Sequence, residues 1–149
     1  MNRERLELMV TMLEEIENGT WKPTADSGVC EYFGLREPGD RPRFDLGTWI
    51  STEEDCPTCG TVACAMGHAC LDKRFTDLGL YLHPNIAAPA VDLPDSEFGE
   101  IGFAATAIFF GISSSSAQDL FAPQGYASKQ SPEAVRGRIT HMLHHGERP

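Results

Sequence analysis

The sequence predicts a mainly α-helical, single compact domain of about five helices, with a long irregular, aromatic-anchored segment and room for one short β-hairpin. Apolar residues recur at helical spacing near both ends of the chain and again before residue 110. The 149 residues are 41% hydrophobic and 23% charged, close to globular averages. No internal repeat or linker interrupts them, so we expect one helical domain over residues 1–149.

Two helices are predicted in the first half of the chain. One begins at residue 3 and ends at Asn18-Gly19, a usual stop signal. Its helically spaced apolar residues are Leu6, Met9, Val10, Leu13 and Ile16. A second is expected from Gly60-Thr61 to about Lys73, with Thr61 as the N-cap. Because small or apolar residues cover most of its circumference, this helix should be buried.

Three further helices are expected in the second half. One runs from about Ser96 to Phe110 and ends at Gly111. A short helix, AQDLF, is capped by a serine from the run 113–116, and the last helix begins at Ser131-Pro132-Glu133. Residues 20–55, rich in proline, glycine and aromatic residues, should be mostly irregular, and residues 75–94 should form a short strand or loop.

The charge of the chain is strongly negative. Acids outnumber bases 22 to 12, for a formal charge of −10, and no Lys or Arg occurs between Arg74 and Lys129. Such a surface repels phosphate backbones and anionic lipid, which argues against direct nucleic-acid or membrane binding. Ordinary solubility is the simplest interpretation, but the acids could also face a basic protein partner. The candidate partner-binding residues are Asp92, Asp95, Glu97 and Glu100.

The amino terminus lacks the features of a signal peptide, which predicts a cytoplasmic protein. The longest apolar run, Ile101 to Ile112, is far shorter than the roughly 20 residues of a membrane span. The five cysteines are therefore expected to be thiols or metal ligands, because disulfides belong to exported proteins.

Four of the five cysteines lie within EEDCPTCGTVACAMGHAC, residues 53–70. Cys56, Cys59, Cys64 and His68 form a C-x2-C-x4-C-x3-H pattern that could hold a zinc ion. The first pair can share one turn, and residues four apart share one helix face. Cys70 could only replace Cys64, because it lies about 200° around the helix. The competing interpretation is apolar packing, since cysteine is often a buried small side chain.

Two thiol chemistries are weaker alternatives. Cys56 and Cys59 could form a dithiol before a helix, but the βαβ context is missing and the acids at 53–55 oppose a thiolate. A nucleophile at Cys59 or Cys64 would need a base, and no local signature selects one of the histidines at 83, 141, 144 and 145.

Histidines at the end of the last helix form an HxxxH pattern. His141 and His145 are one turn apart and His144 lies between them. Metal binding is geometrically feasible, but no carboxylate or third ligand is spaced to join them. The stronger interpretation is a solvated helix carboxy terminus, where polar and cationic side chains interact favourably with the dipole.

Six segments together resemble a family of small, uncharacterised proteins of bacteria and their phages. They are the amino-terminal helix, FDLGTW (44–49), CGTVACAMGHA (59–69), FFGIS (109–113), LFAPQGY (120–126) and SPEAVRGRI (131–139). The resemblance implies a compact, mostly helical cytoplasmic domain and no particular activity. The family pattern includes Cys59 and Cys64, often has tryptophan at position 68 and does not require Cys56.

The function expected from these observations is binding. We expect a small acidic accessory or regulatory protein that acts by protein–protein contact, encoded by a phage or another mobile element, with no cofactor. The alternatives are a zinc-stabilised module using Cys56, Cys59, Cys64 and His68, and a thiol-dependent enzyme.

Overall fold

The amino-terminal helix, α1, forms where its apolar periodicity predicts it. In a computed structural model, which describes residues 1–35, 37, 39–52, 61–96, 99–123 and 130–147, α1 spans Arg3–Glu17. Its cap is Asn2, whose side-chain oxygen accepts a hydrogen bond from the Arg5 amide. Leu6, Met9 and Leu13 are fully buried, so the predicted apolar stripe is confirmed as the side of α1 that faces the core.

Helix predominates in the part of the chain that the structure describes, and short strands lie between the helices. The helices after α1 are α2 (Ser27–Tyr32), α3 (Ala65–Cys70), α4 (Lys73–Thr76), α5 (Gly102–Phe110), α6 (Ser114–Phe121) and α7 (Pro132–His145). The strands are β1 (Arg43–Phe44), β2 (Ile50–Thr52), β3 (Thr61–Ala63), β4 (Leu80–Leu82), β5 (Pro89–Val91) and β6 (Glu100–Ile101). The predominance of helix is therefore confirmed, but the protein is mixed helix and sheet, not strictly all-α.

Two small sheets account for the difference from the predicted fold. In the first, the order is β1-β3-β2, with β1 parallel and β2 antiparallel to β3. In the second, the order is β4-β5-β6 and both pairings are antiparallel. The structure therefore has more strands than the single hairpin that was expected. The sequence did not predict them, because strands of two or three residues carry almost no periodic signal.

The cysteine-rich helix begins later than predicted. Thr61 is not an N-cap but the first residue of β3, where it pairs with Thr52. The cap is Cys64, and α3 ends at Cys70 instead of continuing to Lys73. Its predicted burial is confirmed, because every residue from Ala63 to Asp72 is buried.

The helix expected to start near Ser96 also begins later. Glu100 and Ile101 form β6 by pairing with β5, and α5 starts at Gly102. Glu97 and Phe98 lie outside the described residues. Gly111 ends α5 in a left-handed conformation, and Ser113 and Ser131 cap α6 and α7, as the sequence predicts.

One hydrophobic core joins the helices and both sheets. Helices α1 and α7 pack antiparallel, with Arg136 of α7 paired to Glu14 and Glu17 near the end of α1. Within residues 20–55, Trp21 and Phe33 are buried, whereas Tyr32 is 76% exposed. The predicted aromatic anchors are Trp21, Tyr32, Phe33, Phe44 and Trp49. The prediction is confirmed for Trp21 and Phe33, holds in part for the half-buried Phe44 and Trp49, and is wrong for Tyr32. Of the helices that the structure describes, none is long and apolar enough to span a membrane.

Candidate functional site

Cys64, one of the predicted zinc ligands, acts as the cap of α3. Its Sγ accepts a hydrogen bond from the Gly67 amide at 3.4 Å, and its side chain is buried. Burial raises the pKa of the thiol to about 11. Because a cysteine nucleophile must be a thiolate, a thiol pKa this high argues against a nucleophilic role for Cys64.

His68, the second described ligand candidate, is enclosed one helical turn later. Its Nδ1 lies 2.9 Å from the carbonyl oxygen of Cys64, so Nδ1 carries the proton. The rings of Trp21 and Phe44 lie 4.8 Å and 5.6 Å from the imidazole, centroid to centroid. Burial lowers the pKa of His68 to about 4, although its hydrogen bonds with the backbone favour the charged form and act in the other direction. A neutral imidazole is the result.

The predicted four-ligand set is only half described. Cys64 and His68 are linked by the hydrogen bond that His68 Nδ1 donates to the backbone carbonyl of Cys64. Cys56 and Cys59 lie outside the described residues. In the part of the chain that is described, no group of three or more His, Cys, Asp or Glu side chains could hold a metal ion. A zinc site would therefore depend on Cys56 and Cys59.

The remaining described cysteines are also buried thiols. Cys30 and Cys70 are free, with 8% and 2% of their surface exposed. Burial raises the pKa of both thiols. A thiol-dependent activity would consequently have to use Cys56 or Cys59, because a protonated, buried sulfur is a poor nucleophile.

A buried polar network, which the sequence did not predict, lies next to His68. The indole Nε1 of Trp21 donates to Asp72 Oδ2 at 3.0 Å. Arg74 donates to the same carboxylate, with Nη2 2.6 Å from Asp72 Oδ2. It also reaches Glu15 of α1 through Nη1 and Nη2, at 3.0 and 2.6 Å. Asp72 is 1% exposed, so these donors compensate the burial of its charge.

This network connects separate parts of the fold. Asp72 also caps α4, because its Oδ1 accepts from the Arg74 amide at 2.9 Å. Through Arg74 and Trp21, the carboxylate joins α4 to α1 and to the segment after it. Among the described residues no buried side-chain nitrogen or oxygen lacks a hydrogen-bond partner, so we interpret the cluster as structural. An Asp just before Lys-Arg and after an apolar helix is a sequence signal for such a cap.

The predicted partner-binding acids lie along one hairpin. Asp92 follows β5, Glu100 begins β6 opposite Val91, and Asp95 lies in the connection between the strands. Glu97 lies outside the described residues. Asp92 and Asp95 are exposed, whereas Glu100 is half-buried. Because Glu100 shares its face of the sheet with buried Val91, it points away from Asp92.

The opposite face of this second sheet carries a mixed apolar and acidic surface. Tyr81 and Ile101 are both register partners of Ala90, so they share a face. The Tyr81 hydroxyl donates to Asp92 Oδ1 at 2.9 Å, which places Asp92 on that face too. Ile101 is 39% exposed. We call Tyr81, Asp92 and Ile101 the Tyr81 face.

The ion pairs of Arg3, Lys73, Arg74 and Arg136 lie elsewhere in the structure. The pairs connect residues of α1, α4 and α7, such as Arg74 with Glu15 and Arg136 with Glu17. Within the described ranges, no ion pair involves Asp92, Asp95 or Glu100. The charge of the hairpin is therefore not neutralised by these bases and is available to an outside cation.

No family model, curated protein or solved structure matches the chain.

Proposed function

We propose that this protein acts by binding another protein, and that the Tyr81 face and the exposed acids beside it form the contact surface. The proposal is carried by one observation: Asp92 accepts a hydrogen bond from Tyr81 on the same face of the sheet as exposed Ile101. Tyrosine is enriched among the residues that dominate binding energy at interfaces. Asp92 is thereby held beside an apolar contact area instead of moving freely in solvent.

The composition of this surface favours a basic partner. The exposed side chain of Ile101 can lose water on contact, which supplies a favourable free energy of about 25 cal/mol per Å² of apolar area. Asp92 and Asp95 can accept Lys or Arg side chains at the rim, where charge complementarity speeds association and selects the partner. We therefore expect an apolar segment of the partner flanked by basic residues.

Two variants and one control test the surface. Ile101→Asp removes the apolar contact, and Asp92→Lys with Asp95→Lys reverses the exposed charge. The control is Glu31→Lys with Glu133→Lys, which changes the net charge equally at two exposed acids elsewhere. Tagged proteins would be cross-linked in cells, and the captured proteins quantified by mass spectrometry.

The expected result is a basic protein captured by the wild type and the control and lost with both face variants. Circular dichroism would first establish that every variant is folded. If folded face variants capture the same proteins as the wild type, the Tyr81 face is not the binding surface. If the control loses capture equally, net charge and not this surface controls binding.

The zinc-stabilised module proposed from the sequence has a separate test. Native mass spectrometry would compare the protein before and after treatment with a chelator. A zinc-bound mass that disappears together with the compact charge states would support the structural zinc site predicted at Cys56, Cys59, Cys64 and His68. A folded, metal-free mass would exclude it, because a structural zinc site contributes directly to folding.

A further inference from the structure

A pair of stacked histidine rings lies at the end of α7. The ring centroids of His141 and His145 are 4.4 Å apart, with 41° between the ring planes. His144 is farther from His145, at 6.4 Å, and all three histidines are exposed. The pairing thus follows the helical turn, because residues four apart lie above one another on one face.

We propose that His141 and His145 together bind a divalent transition-metal ion that prefers imidazole ligands, such as Zn²⁺, Ni²⁺ or Cu²⁺. Two histidines at i and i+4 on a helix are a recurrent way to hold zinc, since both nitrogens can reach one ion from the same face. Rings 4.4 Å apart need only rotate about their side-chain bonds to converge. A third protein ligand is not required for binding, because water can complete the coordination.

The helix that carries the pair is firmly held, which reduces the entropy lost on binding. Val135, Ile139 and Met142 of α7 are buried in the core, on a face about 100° around the helix from the two histidines. Near its end, the Arg3 guanidinium donates to the Leu143 carbonyl at 3.0 Å. The backbone positions of the two histidines are therefore held at a fixed spacing, which leaves only side-chain rotation to be ordered on binding.

Two electrostatic effects at the end of α7 act on a bound cation in opposite directions. The carbonyl end of a helix carries a partial negative charge that favours a bound cation. Arg3 adds one positive charge nearby and opposes it. Zinc-like ions bind through covalent character with imidazole nitrogen, so we expect a chelate of moderate affinity that is selective over Mg²⁺ and Ca²⁺, which prefer oxygen.

With two protein ligands the coordination shell stays open. At least two positions remain for water or for a side chain of another molecule. The site is on a different element from the Tyr81 face, so the metal proposal does not depend on the proposed binding function.

The test is a calorimetric titration of the whole protein with Ni²⁺, combined with NMR. We expect one bound ion and paramagnetic broadening of amide signals centred on residues 141–145. His141→Ala and His145→Ala should each weaken binding on the order of tenfold to a hundredfold, because one ligand can no longer chelate. His144→Ala is the matched control and should leave the affinity within about twofold.

Three results would overturn the proposal. The first is an affinity unchanged in folded His141→Ala or His145→Ala. The second is an equal loss with His144→Ala, which would indicate general histidine or charge effects. The third is broadening centred on the cysteine segment 56–70 instead of α7, which would assign the ion to thiolates.

Discussion

A Cβ atom at Gly67 would overlap the carbonyl oxygen of Trp49 and lie 2.9 Å from the Cβ of Ala63. Helix α3 therefore packs against the backbone just before β2 at a distance that only glycine allows. The same approach lets the Cys64 amide donate to the carbonyls of Thr48 and Trp49, at 2.8 and 3.2 Å. Gly67 thus permits the close packing of α3 against the backbone next to the first sheet.

Gly67→Ala should be strongly destabilising. Because the clash is with backbone and not with a flexible side chain, we expect a loss of about 3 kcal/mol in the free energy of unfolding. Chemical denaturation measures it. The matched control is Gly137→Ala within α7, where a Cβ meets no atom within 4 Å. That change should stabilise by up to about 1 kcal/mol, from helix propensity. Equal effects of the two changes would contradict the close packing at Gly67.

Arg74→Met should destabilise the fold more than a change at the neighbouring lysine. Removing the guanidinium leaves the buried Asp72 carboxylate with the Trp21 indole and one backbone amide, at a cost of about 2 kcal/mol. Lys73→Met is the control, because the Lys73–Asp77 pair is exposed on both sides and should contribute under about 0.5 kcal/mol. Thermal and urea unfolding of both variants would measure the difference, and similar losses would refute the role assigned to Asp72.

Acid should destabilise the protein through His68. The pKa of this histidine is about 4 in the folded state and 6.5 in the unfolded chain. Between these values the unfolded state binds more protons, so stability falls as the pH is lowered from 6.5 to 4 and levels off below that. The full shift corresponds to roughly 3 kcal/mol.

The pH effect of His68 can be separated from that of the carboxylates. Urea unfolding from pH 7 to 4 would be compared between the wild type and His68→Asn, whose amide nitrogen lies near the position of the Nδ1 that donates to the Cys64 carbonyl. The variant should be less stable at pH 7 but should lose less stability on acidification. Parallel pH profiles would show that His68 does not titrate as its burial requires.

Cys30, Cys64 and Cys70 should react slowly with iodoacetamide in the folded protein. Their burial limits access and raises the pKa of each thiol, which lowers the thiolate fraction at neutral pH. Pulse labelling followed by peptide mass spectrometry would give a rate for each cysteine, with the urea-unfolded protein as reference. A native rate close to the unfolded one at any of the three would contradict this burial and reopen thiol chemistry at that residue.

The predictable parts of this fold have local causes. The apolar stripe and Asn18-Gly19 stop define α1, Gly111 ends α5, and serines 113 and 131 cap the last two helices. Each signal involves residues within one or two turns of the chain, where a backbone hydrogen bond or a left-handed dihedral requires a particular side chain. Composition likewise predicted an excess of negative charge, because the net charge is a sum over residues that does not depend on how the chain folds.

Long-range contacts determined the rest. Thr61 could cap a helix, but pairing with Thr52 makes it part of a strand, and pairing with Val91 does the same for Glu100. The same register places Glu100 on the other face of the sheet from Asp92, and Asp92 on the same face as Tyr81 and Ile101.

The sequence by itself therefore determined the main helices, their ends and the excess of negative charge. Only the tertiary structure decided that Cys64 and His68 are enclosed, that Asp72 is paired with Arg74 and Trp21, and which acids share a surface. The physical reason is that burial and strand register depend on residues far apart in sequence, whose contacts form only when the whole core assembles.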